Sequence, residues 1–127
     1  MKRDVGLWID HRKAVIVTVV DKEEETKLIE SDIEKHVRFE GGSDVEATAE
    51  DMRDRQFANH LGRYYDRVIE CIGDAGSILI LGPGEAKGEL EKRLQGTELA
   101  GRVVGVETVD KMTDRQIAAR VRERFEQ

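Results

Sequence analysis

The chain has one cysteine, one proline, one tryptophan and no long apolar run, and each scarcity removes a class of protein. Cys71 has no second thiol to pair with, so no internal disulfide braces the fold. Its place at the apolar end of a helical pattern suits an inert buried thiol. No segment approaches the roughly 20 apolar residues of a membrane span. Met1-Lys2-Arg3-Asp4 leads into a strand pattern rather than an apolar signal core, so a cytoplasmic protein with no membrane partner is expected. An excess of basic charge is also lacking. The 21 Lys and Arg against 27 Asp and Glu give a formal net charge of -6. That balance argues against a surface that grips nucleic acid all round, because phosphate binding needs a basic face. Lys111, Arg115, Arg120, Arg122 and Arg124 crowd the end of the sequence, but Asp110, Asp114, Glu123 and Glu126 are interleaved with them, the pattern of a solvated helix face.

Metal and nucleophile motifs are missing too. His11, His36 and His60 fall on three different elements with no CxxC or HxxxH spacing, and there is no G-x-S-x-G. No cofactor and no metal is expected. What the chain does have is 127 residues, the length of a single domain, with 38% charged residues and a mean hydropathy of -0.55. Its apolar residues must therefore be concentrated inward.

Val5–Ile9 and Ala14–Val20 are β-branched or aromatic segments around the polar Asp10-His11-Arg12-Lys13, which predicts an antiparallel hairpin. A charged break over 21–25 is expected next, then a third strand over Thr26–Ser31, which Val37–Phe39 can extend or end. Residues 40–48, with two glycines and Val45 as the one long apolar residue, predict an exposed loop, and Ser43 or Thr48 is placed to cap the helix that follows. In that helix Phe57, Leu61, Tyr64, Val68 and Ile72 draw one apolar stripe, while Arg53, Arg55, Arg63 and Arg67 fall mostly off it. Gly73 to Gly76 supply its stop.

Ile78–Leu81 has the unbroken apolar pattern of a strand buried on both faces, and Gly82-Pro83-Gly84 turns it into a helix lined by Ala86, Leu90 and Leu94. Val103–Val106 predicts a fifth strand parallel to it. Thr113-Asp114-Arg115-Gln116 has the form of a capping box opening a last helix with Ile117, Val121 and Phe125 on its buried side. The fold class is thus α/β: a mixed five-stranded sheet, antiparallel meander first and parallel strands after, with three helices.

Two local patterns bear on chemistry. Gly82, Gly84 and Gly88 sit where a phosphate loop would, but their spacing fits no nucleotide fingerprint and Glu85 would repel a phosphate. A structural tight turn is the reading, with Lys87 the nearby cation. Asp10 ends the first strand as the lead carboxylate of a two-metal nuclease would, with Glu30, Glu70 and Asp110 available, but Asp10 is equally a good turn opener.

The hairpin, the Gly-Gly loop, the long helix, LILGPGEAKGEL, VVGVETVD and the last helix together resemble the middle domain of archaeal and eukaryotic class 1 peptide-chain release factors and of their relative pelota, above all its stand-alone bacterial relatives. The resemblance runs from about Val5 to Phe125 and implies RNase H-like topology. It also implies association with translation, with the ribosome or tRNA as partner. Release factors of that family carry a Gly-Gly-Gln tip before the long helix, where this chain has Gly41-Gly42-Ser43. Serine is too short to do what glutamine does there, so the resemblance implies binding without peptidyl-tRNA hydrolysis. Gly41, Gly42, Ser43, Arg53, Arg63 and Arg67 are the expected contacts. Two alternatives stay open: an acidic protein-interaction module whose partner is another protein, and the metal-dependent nuclease around Asp10.

Overall fold

The structure, a computed structural model, describes residues 3–21, 23–31 and 46–125, and within the long helix it describes side chains from 58 onward. Gly41, Gly42 and Ser43, and the suggested extension over Val37–Phe39, lie outside the described residues, as does the side chain of Arg53.

Strands β1 (Arg3–Ile9), β2 (Lys13–Val20) and β3 (Glu23–Glu30) form an antiparallel meander, and the long helix α1 (Glu46–Cys71) follows. Strand β4 (Ala75–Gly82), helix α2 (Ala86–Leu94), a short 3-10 turn (Glu98–Arg102), β5 (Val103–Thr108) and helix α3 (Asp114–Phe125) complete the order. The sheet runs β3-β2-β1-β4-β5. β1 pairs antiparallel with β2 and parallel with β4, and β4 pairs parallel with β5. Among the described residues the architecture is the expected one, a mixed five-stranded sheet with three helices.

Strand alternation divides the core into two layers. Val5, Leu7, Ile9, Ile16, Ile78 and Ile80 face α1 and α2, whose Leu61, Tyr64, Val68, Ile72, Leu90 and Leu94 cover them. Trp8, Val15, Val17, Leu79 and Leu81 face the other way, under Ile117, Ala118 and Val121 of α3. Helices on both faces explain why β1, β2 and β4 read as continuous apolar runs. Each of Ile78 to Leu81 is fully buried, as the central run predicts.

The structure departs from the sequence pattern at the third strand. The charged run was expected to be a break, yet Glu23, Glu24 and Glu25 are strand residues paired with Val20, Val19 and Thr18. β3 is an edge strand whose side chains are mostly in solvent, so acidic residues cost it nothing there. The turn before it contains Asp21 at φ 49°, a left-handed conformation that Asp tolerates. α1 already begins at Glu46, so Thr48 lies inside its first turn rather than at a cap. The expected capping box at α3 is present: Thr113 N–H donates to Gln116 Oε1 at 2.9 Å, and Gln116 N–H donates back to Thr113 Oγ1 at 3.2 Å.

Candidate functional site

The parallel strands β1 and β4 lead away in opposite directions at their carboxyl ends, β1 into β2 and β4 into α2, and such a point is where open α/β sheets gather their polar groups. Asp10 stands there, but its carboxylate closes the hairpin turn: Oδ1 accepts from Arg12 N–H and Lys13 N–H, each at 2.8 Å. Its backbone carbonyl accepts from the Tyr64 hydroxyl at 3.0 Å. Glu70 lines a groove beside β3 with Lys27 and Cys71, apart from Asp10, and among the described residues no group of three His, Cys, Asp or Glu has the geometry to hold a metal ion.

Around Asp10 lies a network that the sequence spacing did not announce. Glu89 Oε1 of α2 meets His11 Nε2 at 3.0 Å and accepts from the Tyr65 hydroxyl at 2.5 Å. Ser31 Oγ donates to His11 O at 2.6 Å, and His60 of α1 contacts Ser31 O. The hairpin, the end of β3, α1 and α2 are thus tied together by one set of polar contacts. Burial first, then neighbouring acidic or tyrosyl groups, pushes the Tyr64 phenol far up. Burial followed by the bond to Glu89 does the same to Tyr65. Both hydroxyls therefore act as neutral donors. A Tyr-x-x-x-Glu spacing would have hinted at such a link, but these partners are 24 and 78 residues apart in sequence.

At the end of β4, Gly82 is a glycine because of crowding: a methyl group on it would lie 2.4 Å from Ile9 O. The tight turn does not use glycine for positive φ, since no described glycine has it. Gly84 has open space around it, Pro83 is exposed, and Glu85 occupies the N-cap of α2 without a side-chain bond. Lys87 Nζ folds back onto Gly84 O at 2.5 Å, which satisfies the turn carbonyl from within.

The arginines are mostly committed to the protein itself. Arg67 Nη2 donates to Glu30 O at 2.9 Å, and Arg93 forms a two-point pair with Asp66 at 2.8 and 3.0 Å, joining α2 to α1. Hydrogen bonding to Arg93 holds the Asp66 carboxyl below its usual range. Arg3 pairs with Asp74, and Arg102 donates to Ala75 O at 2.9 Å. On α3, Arg120 pairs with Glu107 of β5, Arg122 chelates Glu24 of β3 at 2.6 and 2.7 Å, and Arg124 donates to Val104 O at 3.2 Å. Of the C-terminal basic residues expected on a solvated face, Lys111, Arg115 and Arg124 are exposed, and Arg120, Arg122 and Arg124 also strap α3 to both edges of the sheet. Arg63 is exposed on α1. Arg63 and Arg67 therefore belong to one helical layer and the C-terminal arginines to the other, with the sheet between them.

The molecule is defined at this point as a three-layer α/β domain whose mixed sheet has strand order 3-2-1-4-5 and whose polar network closes the carboxyl ends of β1 and β4. The same fold occurs in the Pelota protein of Thermoplasma acidophilum, with a TM-score of 0.63 and 16% identity over 96% of this chain and 32% of that one. It occurs again in Pelota of Archaeoglobus fulgidus, with a TM-score of 0.60 and 15% identity over 97% of this chain and 31% of the other. The chain thus spans about a third of the Pelota chains it matches. No family model and no curated protein matches the sequence.

Proposed function

We propose that the chain is a translation-associated binding domain of the release-factor and pelota type, which engages the ribosome or tRNA and does not hydrolyse peptidyl-tRNA. The observation that carries this reading is the likeness in fold to archaeal Pelota over nearly the whole chain; this chain's own strand order, 3-2-1-4-5, we read as RNase H-like. Gly41-Gly42-Ser43 in place of Gly-Gly-Gln supports binding without hydrolysis. Arg53, Arg63 and Arg67 on α1 are the proposed contacts, with Gly82-Pro83-Gly84 and Lys87 as structural support for the turn. Sedimentation with ribosomes, or retention of tRNA, at moderate salt tests it. Co-sedimentation weakened by Arg63→Glu is the expected result, and consistent absence from the ribosomal fraction overturns the proposal.

The placement of the arginines favours a second reading, an acidic domain that keeps the fold and binds another protein. Among the described residues at least seven arginines hold partners within the chain, and the basic residues of α1 and α3 are divided between two opposite layers instead of forming one continuous face. Nuclease treatment separates the two. An association that survives removal of RNA belongs to the protein-binding reading, and one that is lost belongs to the first.

A further inference from the structure

The two edges of the sheet are built differently. β5 is six residues long, has a register shift opposite Ile78 and Leu79, and has its Val104 carbonyl occupied by Arg124. These are features that blunt an edge. β3 pairs with β2 through eight successive residues with no shift, is exposed along nearly its whole length, and among the described residues has no strand on its outer side. Ser31 N–H donates inward to Arg12 O at 2.8 Å, so the alternation of an antiparallel ladder turns the N–H and C=O groups of Glu24, Thr26, Leu28 and Glu30 outward. The Glu30 carbonyl, so directed, is the one that Arg67 reaches. Leu28 is 53% exposed on this edge, the most exposed large apolar side chain among the described residues.

We propose that the outer edge of β3 is a docking site for an extended basic segment of another protein, which adds to the sheet as a further strand beside Glu24 to Leu28. Charge selects the occupant. Glu23, Glu25, Glu30 and Glu70 enter no ion pair among the described residues, whereas Lys27 is the edge's own exposed cation and Arg67 is held by Glu30 O. A groove of about 470 Å³ runs between this edge and α1, with Ile29 and Cys71 among its walls and Glu70 beside them. It suits a lysine or arginine of the added strand, whose aliphatic stem lies on the apolar wall while its charge meets Glu70. Main-chain bonds supply the affinity and the alternate side chains the choice of partner.

The test uses the full chain and two synthetic eight-residue peptides, one alternating valine with lysine and one alternating valine with glutamate. Saturable binding of the lysine peptide only is expected, weakening as salt rises from about 0.05 to 0.5 M. On binding, the amides of Glu24, Thr26 and Leu28 become protected from hydrogen exchange, while their inward-facing neighbours, already bonded to β2, change little. Thr26→Pro removes one outward N–H without touching the ladder to β2, and it lowers affinity by about tenfold or more. Glu70→Gln lowers it less and flattens the salt dependence. Absence of saturable binding to the wild-type chain overturns the proposal. So does binding that leaves the outward amides unprotected, since that is charge attraction without strand addition.

Discussion

At Gly6 the sheet and the helix above it touch: a methyl group there would lie 2.2 Å from Val121 Cγ2 and 2.8 Å from Cγ1. Gly6→Ala is therefore expected to lower stability by about 1–3 kcal/mol in urea unfolding. Combined with Val121→Ala, which removes the obstructing methyls, the loss falls short of the sum of the two single losses. Gly84→Ala, with nothing within 4 Å of the added methyl, stays within about 0.5 kcal/mol of the parent. Equal losses at Gly6 and Gly84 would contradict the packing described. Tyr64 and Tyr65 are the chain's only tyrosines, and burial raises the pKa of both well above that of a free phenol. A group with a raised folded pKa contributes its stability in full below the unfolded pKa and loses it as pH climbs from there toward the folded pKa. Stability measured at several alkaline pH values is expected to fall from about pH 10 upward. Tyrosinate absorbance appears only as the chain unfolds, and Tyr64→Phe makes the pH dependence shallower.

Helix α3 shows what an element owes to its ends and its edges. The Thr113–Gln116 box supplies two of its first-turn bonds, so Thr113→Ala should cost about 0.5–2 kcal/mol, read as a shift in the urea midpoint. The straps from Arg120 and Arg122 are about two-fifths exposed and weaker, and replacing either by methionine should cost no more than about 1 kcal/mol. That box was legible in the sequence, as were the run from Ile78 to Leu81 and the apolar stripe of α1 from Leu61 to Ile72, because each depends on neighbours within one or two turns or on an unbroken buried strand; the side chain of Phe57, the stripe's first member, lies outside the described residues. β3 was legible only in its second half. Strand propensity undervalues Glu23 to Glu25, whose pairing is decided by β2 and whose side chains need no burial. The His11–Glu89–Tyr65 contacts and the arginine straps join residues far apart in sequence, and no local periodicity marks such pairs. The 3-10 turn at Glu98–Arg102 is too short to carry a periodicity, and its one local mark is the cap residue Thr97, which accepts from Leu99 N–H at 3.1 Å.

Across the whole molecule, protection should grade from the sheet's middle outward. β1 and β4 are neighbours at its centre, each covered on both faces, whereas β3 has one buried residue among eight. Native-state hydrogen exchange is expected to find the slowest amides in β1 and β4 and the fastest strand amides in β3. Slow exchange throughout β3 would contradict its exposed placement. Among the described residues no helix is long and apolar enough to cross a membrane. The side chains that absorb and emit light are also sorted by layer: Trp8, the chain's one tryptophan, is 1% exposed beneath α3 and donates to Asp110 O at 3.2 Å, while Tyr64 and Tyr65 belong to α1 and pack on the opposite face of the sheet. Indole emission accordingly watches one half of the sandwich and phenol absorbance the other. A single cooperative melt makes the two signals move together, and any separation between them would time the detachment of one helical coat from the other without a label being attached.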